Sequence, residues 1–258
     1  MPDLGPPDLA LLVLVALLAG TVDAIGGGGG LLTVPALLWA GLPPHLALGT
    51  NKGQSVFGAL AALTRFARAG MVDPRRARLT FPLGLVGSLG GAALVLAIPP
   101  ARLRPVVLAL LAVAALFIGL RRGGPARLGD APAPAHASLL AGAAALAIGA
   151  YDGFFGPGTG TFLIVAFVAL LGDGLAHASA AAKVVNFASN LAAVALFSAR
   201  GVVIWRIALP MAGAQLAGGW LGAHLAIRRG DALVRRVVVV VTLALAAKLA
   251  WDMRSRGG

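Results

Sequence analysis

Eight apolar runs dominate this chain, each long enough, or nearly so, to cross a hydrocarbon core that requires about 20 helical residues. They fall at roughly 8–25, 44–67, 79–98, 105–120, 137–155, 177–199, 207–227 and 234–252. Charged residues make up 12% of the sequence, about half the share found in soluble domains, and the mean hydropathy is +0.91. The expected fold is therefore an all-α polytopic membrane protein, a single transmembrane domain over 1–258. The first run is preceded only by the charges Asp3 and Asp8. A signal peptide carries a basic region there, so this run reads as the first retained helix.

Two further apolar runs, 31–42 and 162–172, are too short to cross untilted. Each follows a glycine-rich break, Gly26 to Gly30 in one case and Gly156-Pro157-Gly158-Thr159-Gly160 in the other. Consecutive glycines hold a helix poorly, at about 1 kcal/mol each relative to alanine. Unwound backbone at membrane depth persists only where protein or a watery cavity satisfies it. The stretch 121–136, rich in glycine and proline, reads as a linker between two halves, repeat 1 at about 8–120 and repeat 2 at about 137–252.

The repeat is legible in individual residues. At an offset of 131, Lys52 meets Lys183, Phe66 meets Phe197, Gly87 meets Gly218 and Gly91 meets Gly222, while the glycine breaks align at 130. Lysine and phenylalanine are rare here, so their coincidence carries the most weight. If the short runs are re-entrant, the chain has eight spans and parallel halves. If they cross, it has ten, and the halves are inverted. The arginine-rich loops fall on one side either way, so the positive-inside rule does not choose.

Of 21 basic residues only Lys52, Lys183 and Lys248 are lysine, and the first two sit inside apolar runs. An ammonium near the centre of a membrane helix costs about 2.5–3.5 kcal/mol on insertion scales and marks a functional site by default. Snorkelling toward the headgroups is the bland alternative. Lys183, Asn186 and Asn190 share one helical face, and Asn51, Gln54 and Ser55 form a similar stripe beside Lys52. Asp23 and Asp152 stand just before the two breaks, placed to pair with a lysine, to cap the break or to carry a coupling proton. The short helices would aim their positive ends at the breaks. That offers the N–H groups of Gly27, Gly28 and Gly29, and of Gly158, Thr159 and Gly160, to an anion. The small-residue patterns around Gly87–Gly91 and Gly218–Gly222 have the spacing of close helix packing.

Other chemistries are poorly provided for. Without cysteine there is no disulfide framework, thiolate site or thiol nucleophile. His45, His177, His136 and His224 lack ligand spacing, so neither a metal nor another cofactor is expected. The net charge of +12 resides in short loops between apolar runs, which suits anionic lipid headgroups rather than nucleic acid.

The strings "DAIGGGGGLLTVPALLWAGLPPHLALGTNKGQSVFGA" at 23–59 and "GPGTGTFLIVAFVALLGDGLAHASAAAKVVNFASN" at 156–190 resemble the two glycine-rich breaks and lysine-bearing helices of the TauE/SafE family. The resemblance covers nearly the whole chain. It implies transport of small sulfur-containing anions, such as sulfite or organosulfonates, across the bacterial inner membrane. Asn51, Lys52 and Gln54 match the first signature; Lys183, Asn186 and Asn190 match the second. Ala182 stands at the counterpart of Asn51, so the two half-sites are not expected to contact a substrate alike.

The expected function is a secondary transporter for a small anion, working by alternating access around a midplane site between the repeats. An anion channel is the rival reading, and an intramembrane enzyme a weaker one, for want of a nucleophile or metal constellation. Partners are the anionic substrate and membrane lipids, and the reading leaves room for a homo-oligomer.

Overall fold

The computed structural model describes residues 5–120 and 136–256, and every regular element among them is a helix. In chain order these are α1 (Pro6–Gly26), α2 (Gly30–Trp39), α3 (Pro44–Arg68), α4 (Pro74–Ala97), α5 (Pro100–Leu120), α6 (Ala137–Phe154), α7 (Thr159–Leu171), α8 (Leu175–Ala199) and α9 (Trp205–Arg256). Prolines open α1, α3 and α4, at positions where an N–H would lack a helical partner. Asp73 caps α4 by accepting from the Arg75 N–H at 2.9 Å. The last helix is kinked at Gly230, which has non-helical backbone angles. The linker expected at 121–136 lies outside the described residues except for His136.

Four helices, α1, α4, α6 and α8, are long and apolar enough to cross a membrane among the described residues, and the protein is an integral membrane protein. α3 is as long as α8, with 25 residues each, but its polar stripe lowers its hydropathy. The runs expected at 105–120 and 234–252 fall in α5 and the end of α9; beyond Val113 in α5 and across most of 234–252 the side chains lie outside the described residues.

The two short helices turn back on their predecessors. Gly29 lies against the Ala19 carbonyl, and Leu37 clusters with Leu12 and Ala16, so α2 runs back along α1. α7 likewise returns along α6, with the Tyr151 and Phe162 rings 5.3 Å apart. The freed ends are bonded internally. The Ser179 hydroxyl reaches the Ala24 and Ile25 carbonyls at 3.1 and 3.0 Å, and Thr161 donates to the Gly26 carbonyl at 3.0 Å. These hydroxyls satisfy acceptors that a helix terminus leaves open.

Glycines decide which helices touch. A methyl on Gly87 or Gly91 of α4 would sit 2.2 or 2.0 Å from the Leu146 or Ala150 carbonyl oxygen of α6. On α9, methyls at Gly218 and Gly222 would stand 2.3 and 2.2 Å from the Leu17 and Thr21 carbonyls of α1. The small-residue spacing is thus a packing device, bringing backbones together where lipid supplies no hydrophobic drive between helices. The outer faces carry exposed Leu14, Leu18, Leu94, Leu139 and Leu209, as a lipid-facing surface requires.

Apolar clusters fill the interior. One surrounds Phe66 and Phe167, a second Phe155 and Phe197, a third Leu12, Leu42 and Met211. Along α8 the first cluster ends at Val185 and the second resumes at Ala193. Between them lies the polar layer.

Candidate functional site

Two buried ion pairs organise that layer. Lys52 Nζ on α3 lies 2.7 Å from Asp152 Oδ1 on α6, with both side chains 2% exposed. Lys183 Nζ on α8 lies 2.6 Å from Asp23 Oδ2 on α1; the lysine is fully buried and the aspartate 21% exposed. Each lysine therefore pairs with the aspartate from the other half of the chain. Removing two ions from water costs several kcal/mol per ion before their attraction offsets it. Hence neither pair is explained by stability alone, and neither ammonium snorkels.

Each carboxylate has a second task. Asp23 Oδ1 accepts from the Gly29 N–H at 3.2 Å and so caps α2. Asp152 accepts from the Ser189 hydroxyl through its other oxygen. The lack of a side chain at Gly156 makes room for the pair: a methyl there would stand 3.0 Å from Lys52 Nζ and 3.2 Å from Asp152 Oδ1.

The glycine breaks meet backbone to backbone. A methyl on Gly27, whose φ is +76°, would fall 2.1 Å from the Thr161 nitrogen, so only glycine fits both the conformation and the contact. Gly30 packs on Pro157 less closely, where a methyl would stand 3.2 Å from the proline Cα. The glycine runs thus let two unwound segments cross at contact distance.

A cavity of about 20 Å³ lies among Asp23, Gly29, Gly30, Asn51, Lys52, Ser55, Asp152, Gly156, Asn186, Asn190 and Gln215. That is room for roughly one water molecule. Of the residues expected at the site, Asn51, Lys52, Asn186, Asn190, Gly29, Asp23 and Asp152 line it. Lys183 stands behind Asp23, and Gln54 is wholly buried against Asn51 and Ser55. Gly27 and Gly160 are taken up by the backbone crossing. Gly28, Gly158 and Thr159 do not reach the cavity; Thr159 Oγ1 instead bonds the Gly156 carbonyl at 2.7 Å.

Donors converge on one amide. Asn51 Oδ1 accepts from Thr33 Oγ1 at 2.6 Å and from Gln54 Nε2 at 3.0 Å, which fixes its oxygen and leaves its N–H₂ edge for the cavity. On α8, Asn190 Nδ2 donates to the Asn186 carbonyl at 2.7 Å. Gln54 Oε1 has no partner among the described residues although it is buried. Ala182, 131 residues after Asn51, lies in the apolar core.

Sequence reasoning missed Gln215, Thr33 and Ser189. Gln215 on α9 is 3% exposed, lines the cavity, and rests against Gly20 and Gly58. A lone amide in the apolar run "MAGAQLAGGW" was the available signal. Thr33 and Ser189 resemble any helical hydroxyl and gave none.

A family model described as Sulfite exporter TauE/SafE matches residues 12–249. The chain belongs to the TauE/SafE family. The TauE/SafE match spans every residue of the site above. Among similar proteins, a "Probable membrane transporter protein" of Haemophilus influenzae is 40% identical over 97% of both chains. "Probable membrane transporter protein ORF9" of a Sinorhizobium species is 37% identical over 98% of this chain and 96% of its own. "Probable membrane transporter protein YfcA" of Escherichia coli K12 is 38% identical over 96% and 91%. No solved structure matches the chain. By family it is a membrane transporter and not an enzyme.

Proposed function

We propose that this chain carries a small oxyanion, sulfite or an organosulfonate, across the bacterial inner membrane by alternating access. The observation that carries the reading is the exchange of partners: Lys52 with Asp152 and Lys183 with Asp23. Two lysines held in a polar layer, each neutralised by an aspartate, form a site suited to an anion. The incoming oxyanion displaces the carboxylates and takes up the ammonium groups, the Asn51 amide and the N–H groups at the start of α2, a helix N-terminus suited to negative charge. A cavity holding about one water is too small for a sulfur oxyanion, so binding requires the helices to part. That need favours a carrier over an open pore. The choice of sulfur anion rests on the family description, Sulfite exporter TauE/SafE.

In this reading the two repeats are inverted and the chain crosses ten times. Its support is the return of α2 and α7 along their predecessors, the reciprocal packing of α1 on α9 and α4 on α6, and the kink at Gly230 in register with the α4–α5 break. The ends of the site are unlike each other. Beside the arginine-rich turn at 71–77, a cavity of about 370 Å³ lies next to the Arg76–Asp173 ion pair. At the corresponding end, Leu42 packs with Ile204 and Ile207, and an apolar cavity of about 550 Å³ lies between 41–44 and Val107 and Leu108. The positive-inside rule places the arginine-rich side in the cytoplasm. Asp23, the more exposed of the two carboxylates, is the coupling group.

Thermal unfolding of the detergent-purified protein against sulfite, sulfate, thiosulfate, sulfoacetate and simple carboxylates tests the substrate class. A ligand at about 100 times its dissociation constant stabilises by about 2.7 kcal/mol. The expected result is a shift with a sulfur oxyanion that Lys183→Ala removes. A shift with none of these anions would overturn the reading.

A further inference from the structure

A second basic cluster lies outside the transport site, on the lipid-facing surface. Arg65 and Arg68 occupy the last turn of α3, one turn apart on the same face. Their guanidinium carbons stand 5.9 and 5.5 Å from the centroid of the Trp220 ring on α9. One turn on from Trp220, His224 Nδ1 lies 3.0 Å from Arg65 Nη2. With Nδ1 accepting, the imidazole N–H is at Nε2 and free to donate. The C-terminal dipole of α3 favours cations there, but it does not account for two guanidiniums sharing one ring. Neither pairs with a carboxylate among the described residues, where the ion pairs are those of Lys52, Arg76 and Lys183.

The surroundings point to lipid. Trp220 is 38% exposed and is flanked by Leu216 and Leu221, at 46% and 48%. Tryptophan seated at the headgroup level, beside lipid-facing leucines, is the pattern of the membrane interface. The cluster shares its end of the molecule with Arg75, Arg76 and Arg78 and with Arg228 and Arg229. By the positive-inside rule this end faces the leaflet that carries anionic lipid.

We propose that Arg65, Arg68, Trp220 and His224 form a binding site for the phosphodiester headgroup of an anionic phospholipid. The guanidiniums take the phosphate oxygens in the fork geometry arginine favours, held in place by the indole face. His224 Nε2–H supplies a further donor, and Leu216 and Leu221 lie along an acyl chain. The site joins α3, which carries Lys52, to α9, which carries Gln215, so an occupied headgroup clamps two helices that line the transport cavity.

Native mass spectrometry of the full-length protein, titrated with phosphatidylglycerol, cardiolipin or phosphatidylcholine, tests this. The wild type should retain an anionic lipid at low lipid ratio and no phosphatidylcholine. R65Q/R68Q should weaken that binding about 100-fold or more, about tenfold or more for each guanidinium that no longer bonds the phosphate. R228Q/R229Q removes the same charge at the same end and should leave it nearly unchanged. Equal losses in both double variants would show diffuse attraction and overturn the site. Trp220→Leu keeps every charge and should still weaken binding several-fold, so the test stands if the arginine variant does not fold; unchanged binding in Trp220→Leu would then refute it. Displacement of the lipid by millimolar glycerol 3-phosphate would show a site for free phosphate instead, and would refute the lipid assignment.

Discussion

Replacing Lys52 by Met removes one member of a pair whose side chains are each 2% exposed. It leaves Asp152 buried with only the Ser189 hydroxyl beside it. Breaking a buried pair from one side costs about 3–5 kcal/mol, whereas replacing both members is often neutral. Asp152→Asn strands the Lys52 ammonium among neutral groups, and a similar loss is expected. The double variant K52M/D152N should recover most of it, giving a coupling of about 3 kcal/mol or more between the two sites. At about 2–4 °C per kcal/mol for a chain of this size, each single variant should lower the apparent melting temperature by about 6–20 °C. The double variant should lie within a few degrees of wild type. Thermal unfolding in detergent, run on all four proteins at one lipid and salt composition, measures this. If the double variant loses the sum of the two single losses, the ions do not interact as described.

Gly90 and Gly91 are neighbours with opposite expectations. Gly90→Ala has nothing within 4 Å of the new methyl and should stabilise α4 by about 0.5–1 kcal/mol, whereas Gly91→Ala meets the Ala150 carbonyl oxygen at 2.0 Å and should destabilise by about 1–3 kcal/mol; melting temperatures compare the two. The chain contains no cysteine, so single cysteines report sidedness on the natural background. Ala69→Cys and Arg200→Cys, exposed residues 131 positions apart, should react with an impermeant maleimide from opposite faces of the membrane, and labelling from one face would refute the inverted arrangement. Gln215→Met keeps volume but removes an amide from the cavity wall; losing a hydrogen bond to a charged ligand, worth about 1.5–3 kcal/mol, should weaken apparent substrate affinity about 10- to 100-fold in a flux assay. Unchanged affinity would place Gln215 outside the site.

Much of this architecture is legible in the sequence because membrane burial imposes strong rules. Long apolar runs, glycine breaks and small-residue spacing each mark a backbone that must satisfy itself or touch another. The helix ends came within about two residues for α1, α3 and α6, where proline or an abrupt change in polarity sets the boundary. The lysines stood out because a buried ammonium is costly, and so did the aspartates before the breaks. Their partners could not be read, because pairing depends on which half-helix crosses which. Position before a break fits Asp23 to either lysine; the packing of α1 beside α8 selects Lys183. Lys183 illustrates the limit: its position in the repeat equals that of Lys52, yet it sits one side chain behind the cavity wall. Gln215 illustrates the converse, since an uncharged amide gives little contrast against an apolar helix until the fold turns it inward.

The central claim is that the lysine–aspartate layer is where the anion is carried. Counterflow of labelled sulfite or a sulfonate into proteoliposomes, comparing wild type with K52M/D152N at matched folding, tests it most directly. Saturable counterflow in the wild type and none in the double variant is the predicted result. Wild-type counterflow from a protein that lacks this ion pair would contradict the account.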